Sequence, residues 1–425
     1  MLLRITDGTT TLTLSGSGTY VGATYFPASQ SNADRIGESV PVILEGTDSA
    51  IRTAVQDIQQ LLRAAANRDK TLTARYFVEF RPVDSGDIFR AELFGGDANY
   101  SQAPAERSLY NATSTVRVNV TWERAGRWEG PEEELYLSSS SQSERTGGVS
   151  LSINDNAGTP NWCGIASARV KGTQPAPIRL RITNSSGSGL AWRNFYIGVN
   201  AYSTPGSADL WLLGSEATGG ATASWAAGIG HSALQWLIAL NATLLGQTQG
   251  RTFRVIGAFT SISATAAVRA SVGPYVGGVF DFGRVGQERQ NVGGVIDLGE
   301  FALPPGGYNV ANAAAALAIT VRSASSGGGT LDFVMLMPTD SYRRLRQNAY
   351  SIPNGDAIED DGIEGGAYWL SGSSHYPTVR ASGAPLAVFP ERDQRIYVMA
   401  DENAAWNAGR AITVRAWYRP VYDNV

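Results

Sequence analysis

The stretch Ser114-Thr-Val-Arg-Val-Asn-Val-Thr-Trp-Glu-Arg124 decides the fold class. Val116, Val118, Val120 and Trp122 fall on one side of an extended chain. Arg117, Asn119, Thr121 and Glu123 fall on the other. A period of two is that of a β-strand with one buried face and one polar face.

The same alternation surrounds it. Leu3 and Ile5 precede the turn Asp7-Gly8-Thr9, and Leu12 and Leu14 follow it, a strong hairpin signal. Further strands are read at 39–45, 72–80 and 87–94. Between the first two of these, Ile51, Val55, Ile58 and Leu62 recur at spacings of four, three and four, which predicts one amphipathic helix over 49–66. Asp48 or Ser49 is the expected cap, and Asn67 the expected end. One helix packed on such a sheet makes an α+β module in a mainly β chain.

Composition agrees. The chain has 425 residues, 48 of them Gly, and only 17% are charged, below the usual quarter. Low charge with abundant Gly, Ser and Thr is that of a β-protein with many turns. The N-terminal module is read as 1–140. The polar run Leu137-Ser-Ser-Ser-Ser-Gln-Ser-Glu-Arg-Thr-Gly-Gly148 reads as a linker. Over 150–338 eight or nine short strands, such as 178–183, 194–199, 252–259, 313–321 and 330–337, predict a jelly-roll-like β-sandwich. The one helix signal there lies at 228–244. Residues 339–384 read as a loop-rich connector, with the acidic run Asp356-Ala-Ile-Glu-Asp-Asp-Gly-Ile-Glu364 exposed. Two last strands, 394–400 and 411–418, are expected to return to the N-terminal module, so that 385–425 completes it.

Function classes narrow by chemistry. Cys163 is the only cysteine and there are two histidines, so no disulfide forms within the chain and neither a Cys₄ nor a Cys₂His₂ zinc site can be built. His231 lies in an apolar context and His375 in a polar loop, neither with a nucleophile pattern. No phosphate loop, dinucleotide fingerprint or Gly-x-Ser-x-Gly elbow occurs. The acidic runs 132–134 and 359–364 read as solvated faces, since glycoside hydrolysis needs two carboxylates about 5–10 Å apart across a cleft. Residues 356–364 do not fit an EF-hand, because a Gly362 at the sixth position puts Ala357 first. No catalytic, cofactor-binding or metal-binding residue is assigned, and no cofactor is expected. The net charge of −4 with dispersed Arg disfavours nucleic-acid binding. The N-terminus shows no leader pattern, and no apolar run approaches the roughly 20 residues that cross a bilayer, so no membrane insertion is expected. Aromatic residues allow sugar stacking. Trp162, Trp225 and Trp369, read as loop residues, are the candidate glycan contacts, against core filling for the others.

The segments VPVILEG (40–46), AIRTAVQDIQQLLRAA (50–65), TARYFVEF (73–80), DIFRAELFGG (87–96) and VRVNVTWERAGRWEG (116–130) resemble phage tail proteins of the tail-tube and distal-tail family. The closing segment 384–425 resembles the C-terminal strands of phage tail structural proteins, and the middle resembles the jelly-roll or carbohydrate-module-like domains that decorate such proteins. The resemblance implies a β-sandwich with one flanking helix, in a structural subunit made in the host cytoplasm and carried in the virion. It implies rings of copies of this chain around a DNA-conducting channel, with other tail proteins as partners and no sequence-specific DNA contact. Arg117, Glu123, Arg124, Arg127 and Trp128 are then the candidate subunit-interface residues. The alternative is a tail-tip adhesin that binds a host-surface glycan through 150–338.

Overall fold

The computed structural model describes residues 1–16, 18–28, 34–71, 74–83, 86–100, 114–153, 161–190, 192–200, 211–213, 222–225, 232–239, 252–263, 266–276, 279–280, 284–286, 289–290, 294–302, 314–323, 327–347, 351–402 and 410–425. It is mainly β with one long helix, and it divides into two compact units.

The first unit comprises Met1–Glu133, Lys171–Gln174 and Arg419–Val425. Its sheet runs in the order Thr11–Thr13, Leu2–Thr6, Tyr76–Arg81, Phe89–Tyr100, Ser114–Ala125, Arg35–Gly46, Tyr20–Ala23. The predicted hairpin is present, with Gly8 at φ +87° and Asp7 Oδ1 accepting from the Thr9 and Thr10 amides at 2.8 and 2.6 Å. Ser114–Ala125 pairs with Arg35–Gly46 over its whole length, Val118 opposite Val42. Its alternation is observed: Val116, Val118, Val120 and Trp122 are buried, whereas Arg117 and Glu123 are exposed.

The helix spans Asp48–Thr71, one turn longer than the apolar stripe predicts. Its cap is Thr47, whose Oγ1 accepts from the Ala50 amide at 3.2 Å. Asn67 does not end it, because its side chain donates back to the Arg63 carbonyl at 2.9 Å within the helix. Arg68 and Lys70 in the last turn complement the helix dipole. Ile51, Val55, Ile58 and Leu62 are buried with Leu3, Val40, Val42, Val78 and Val118 in one core. Burying each such side chain contributes about 1.5–3 kcal/mol.

The second unit comprises Glu134–Val170 and Pro175–Tyr418. One sheet orders Val149–Ile153, Arg410–Tyr418, Ala176–Asn184, Ala357–Asp361, Ala367–Ser371 and Ser374–Tyr376. A second orders Gln142–Arg145, Leu137–Ser139, Trp162–Ile165, Gln394–Glu402, Trp192–Asn200, Tyr342–Gln347 and Val379–Gly383. Smaller sheets form around Thr252–Ile262 with Gly327–Pro338 and around Ala314–Ser323.

Several expectations are corrected here. The 137–148 linker is a hairpin, Leu137–Ser139 against Gln142–Arg145, and Leu137 is buried. The helix signal at 228–244 becomes the strand Ser232–Ala239, paired along its length with Ala314–Val321. A short apolar run cannot distinguish the two by periodicity. Among its described residues the connector 339–384 holds five strands, because its glycines turn tight hairpins: Gly365, Gly366 and Gly372 take φ +83°, +125° and +58°. The acidic run is exposed only at its end, Glu364: Asp356, Ala357, Ile358, Glu359, Asp360 and Asp361 are buried, in or beside a central strand. Finally, the strands Gln394–Glu402 and Arg410–Tyr418 belong to the second unit. Only Arg419–Val425 returns to the first, where Val421 and Tyr422 pair with Glu129 and Trp128.

Candidate subunit interface and aromatic contacts

The inward parity of two paired strands brings a carboxylate and a guanidinium into the first unit's core. Glu38 shares the parity of Val40, Val42 and Leu44, and Arg124 that of Val116 to Trp122. Their side chains are 5% and 0% exposed. Two charges there are tolerated only with full pairing. Arg124 Nε and Nη2 donate to Glu38 Oε2 and Oε1 at 2.9 and 2.7 Å. The remaining guanidinium protons reach the carbonyls of Ala125 at 2.7 Å and Ala28 at 2.9 Å. Glu38 accepts further bonds from Tyr25 Oη at 2.6 Å, Trp122 Nε1 at 2.9 Å and the Ala28 amide at 2.8 Å. The Arg124 guanidinium stacks 4.5 Å from the ring of Trp128, and Tyr25 meets Phe80 and Trp122 edge-on at 5.2 and 5.7 Å. Burial pushes the Glu38 carboxyl up, but hydrogen bonds from Arg124, Tyr25 and Trp122 outweigh it and hold Glu38 below the usual carboxylate range. Burial and the Glu38 charge raise the Tyr25 phenol, so it stays neutral.

This geometry corrects two candidate interface residues. Arg124 and Trp128 are fully buried within the chain and present no surface. Arg117, Glu123 and Arg127 are exposed. Glu123 lies 3.2 Å from Arg35 in a half-exposed ion pair, the kind worth little by itself. Nearby, Ser39 Oγ donates to Asn119 Oδ1 at 2.7 Å, and the Arg35 guanidinium stacks 4.0 Å from the Phe94 ring. An open groove of about 550 Å³ crosses this face, lined by Gly37, Ser39, Phe94, Gly96, Thr121 and Glu123 among others. Gly96 is required there: a Cβ would meet the Thr121 carbonyl at 2.1 Å. The face presents polar side chains and the Arg35–Glu123 ion pair to its surroundings.

The three glycan candidates separate. Trp162 is half-buried, with the Arg395 guanidinium 4.2 Å from its ring. Trp225 closes a strand paired with Gly327–Thr330, and its side chain lies outside the described residues. Trp369 sits on the Ala367–Ser371 strand rather than in a loop, half-exposed. Its Nε1 donates to Asp356 Oδ2 at 3.1 Å and its ring lies 5.3 Å from that of exposed Tyr376. Ser371 Oγ holds the other Asp356 oxygen at 3.1 Å. Neither Asp356 nor Tyr376 is legible as a partner from sequence, since strand pairing brings them there: Tyr376 lies opposite Trp369 in the hairpin, and Asp356 immediately precedes the strand paired on the other side.

The buried acidic strand is fully engaged. Glu359 accepts from Arg181 at 2.7 Å, Asp360 takes a bidentate bond from Arg343 at 3.0 and 2.9 Å, and Asp361 Oδ1 accepts the Ile363 and Glu364 amides at 3.0 and 2.9 Å. Among the described residues no group of three or more His, Cys, Asp or Glu is placed to hold a metal ion. Nor is any described helix long and apolar enough to cross a membrane.

No protein-family model matches the chain, and no curated protein matches it. Two solved structures align with it: the phage P2 baseplate in its activated conformation with calcium, at 11% identity, and the same baseplate with strontium, at 10%. Each alignment covers 100% of this chain and 99% of the other, with a TM-score of 0.24. A score that low does not define a common fold.

Proposed function

We propose that this chain is a structural subunit of a phage tail that holds copies of itself, and other tail proteins, through strand edges and exposed apolar side chains. On this reading the copies close into a ring around a DNA-conducting channel and no reaction is catalysed. One observation carries it. The short Tyr20–Ala23 strand is the last in its sheet among the described strands, and it exposes Val21 at 47%. Just beyond it Phe26 is 86% exposed. An unpaired strand edge beside large exposed apolar side chains is a surface that pairing with another chain would cover. Ring closure satisfies such edges. The sequence resemblance to tail-tube and distal-tail proteins supports the same reading.

The test is the mass and shape of the purified chain by light scattering and negative-stain microscopy. Rings or stacked tubes are expected. Val21→Ser with Phe26→Ser should shift the distribution to monomer with little change in melting temperature. A wild-type protein that stays monomeric at high concentration sinks the proposal.

A second reading, contact with a host glycan, is favoured by Trp369. Its ring is pre-oriented by Asp356 and paired with exposed Tyr376, which suits stacking on a sugar face.

A further inference from the structure

We infer that the Trp369 site takes an uncharged sugar unit and discriminates against acidic sugars, with Asp356 as the residue that selects. This rests on the glycan reading of Trp369 and adds to it the class of sugar.

One hairpin assembles the site. Ala367–Ser371 and Ser374–Tyr376 are joined by Gly372-Ser373, with Gly372 at φ +58°. The register sets Trp369 opposite Tyr376 and Ser371 opposite Ser374. Opposed residues, and residues two apart on one strand, share a face of a sheet. Both rings and both serines therefore stand on one side of the hairpin. Tyr368 and His375 take the other side, with ring centroids 5.9 Å apart. Ser374–Tyr376 is the last strand of its sheet among the described strands, and all three of its residues are exposed. Tyr376 offers 42% of its surface to solvent.

Asp356 is fixed at the edge of the indole. Its Oδ2 accepts from Trp369 Nε1 at 3.1 Å and its Oδ1 from Ser371 Oγ at 3.1 Å. These donors stand two positions apart on the same face, so the strand pitch itself sets the carboxylate beside the stacking surface. An ionised carboxylate offers about four acceptor sites, and each oxygen uses one of its two on these bonds. An indole and a hydroxyl are neutral donors, so the negative charge stays at the site. Glu359 and Asp360, in the strand that follows, meet the guanidinium groups of Arg181 and Arg343.

These features define the ligand. The indole plane, with the phenol ring 5.3 Å from it, suits the C–H face of a pyranose. A pyranose lying on the indole carries hydroxyls past the ring edge, where the carboxylate accepts them in charge-assisted hydrogen bonds. The exposed Ser374 hydroxyl, on the same face, adds a donor and an acceptor. A uronic acid brings a second carboxylate to the same place, and like charges repel. Selection thus comes from an unfavourable contact with the wrong sugar as well as a favourable one with the right sugar.

The experiment is calorimetric titration of the full chain with two matched pairs, glucose with glucuronate and galactose with galacturonate. Saturation binding of at least one neutral sugar is expected, with its uronate partner about tenfold weaker. Tyr376→Ser, at an exposed position, should weaken the neutral sugar about tenfold with an unchanged melting temperature. Asp356→Asn keeps an acceptor for Trp369 and turns its amide nitrogen to Ser371. It should bring the uronate to within about twofold of its neutral partner. A uronate that binds wild type as tightly as its neutral partner overturns the selection and leaves the glycan reading standing. An undiminished gap in Asp356→Asn overturns the assignment to Asp356. Absence of binding by all four sugars, or full neutral-sugar affinity in Tyr376→Ser, overturns the glycan reading together with the inference.

Discussion

At the scale of single residues, the Glu38–Arg124 pair shows how a charge enters a core. Inward parity on two paired strands places both groups there, and seven hydrogen bonds over 2.6–2.9 Å absorb their polarity. Glu38→Gln leaves Arg124 buried without its counter-charge and should cost about 3 kcal/mol at neutral pH, measured by denaturant unfolding. The pH dependence follows from the sign of the shift. Glu38 titrates lower in the folded chain than its ordinary value of about 4.3. Its contribution is complete above that ordinary value and is lost as pH falls through the lower folded value. The stability gap between wild type and Glu38→Gln should therefore narrow in acid below about pH 4. A gap constant from pH 7 to pH 2 would rule out the charged pair as its origin.

At the scale of elements, the acidic strand Ala357–Asp361 is the instructive case. Its residues read as a solvated loop because sequence shows charge and not partners. In the folded chain it lies between Ala176–Asn184 and Ala367–Ser371, so its backbone is engaged on both edges. Amide hydrogen exchange in 357–361 should be slower by orders of magnitude than in the exposed stretch 372–378, because exchange requires opening of the sheet. Equal rates would contradict the strand. The helix is the opposite case. The stripe Ile51, Val55, Ile58, Leu62 was legible because the 3.6-residue period is local, and only the cap and the last turn escaped it. The cap escaped because Thr47, Asp48 and Ser49 are all competent, and the choice among them depends on where the preceding strand ends.

At the scale of the whole chain, the closing residues matter more than their number suggests. Arg419–Val425 belong to the first unit, with Tyr422 edge-on to Phe89 at 5.5 Å and Asp423 accepting from Thr173 and Gln174 at 3.0 Å each. A chain ending at Tyr418 should lose stability in the first unit, seen as increased hydrogen exchange in Trp128–Glu129 and Phe89–Tyr100, while the Arg410–Tyr418 ladder stays protected. Unchanged exchange in those strands would show that the tail is dispensable.

The sequence by itself determined the strand parities, the Asp7-Gly8 hairpin, the helix stripe and the mainly β class. Each of these follows from backbone geometry over a few neighbouring residues. Arg124 also stands on the apolar parity of its own strand, which argues for burial. Tertiary structure alone decided the partners. Glu38 and Arg124 are 86 positions apart and Arg181 and Glu359 are 178 apart. A charged side chain is stable in a core or exposed on a face according to what meets it there, and that is fixed only when distant strands pair.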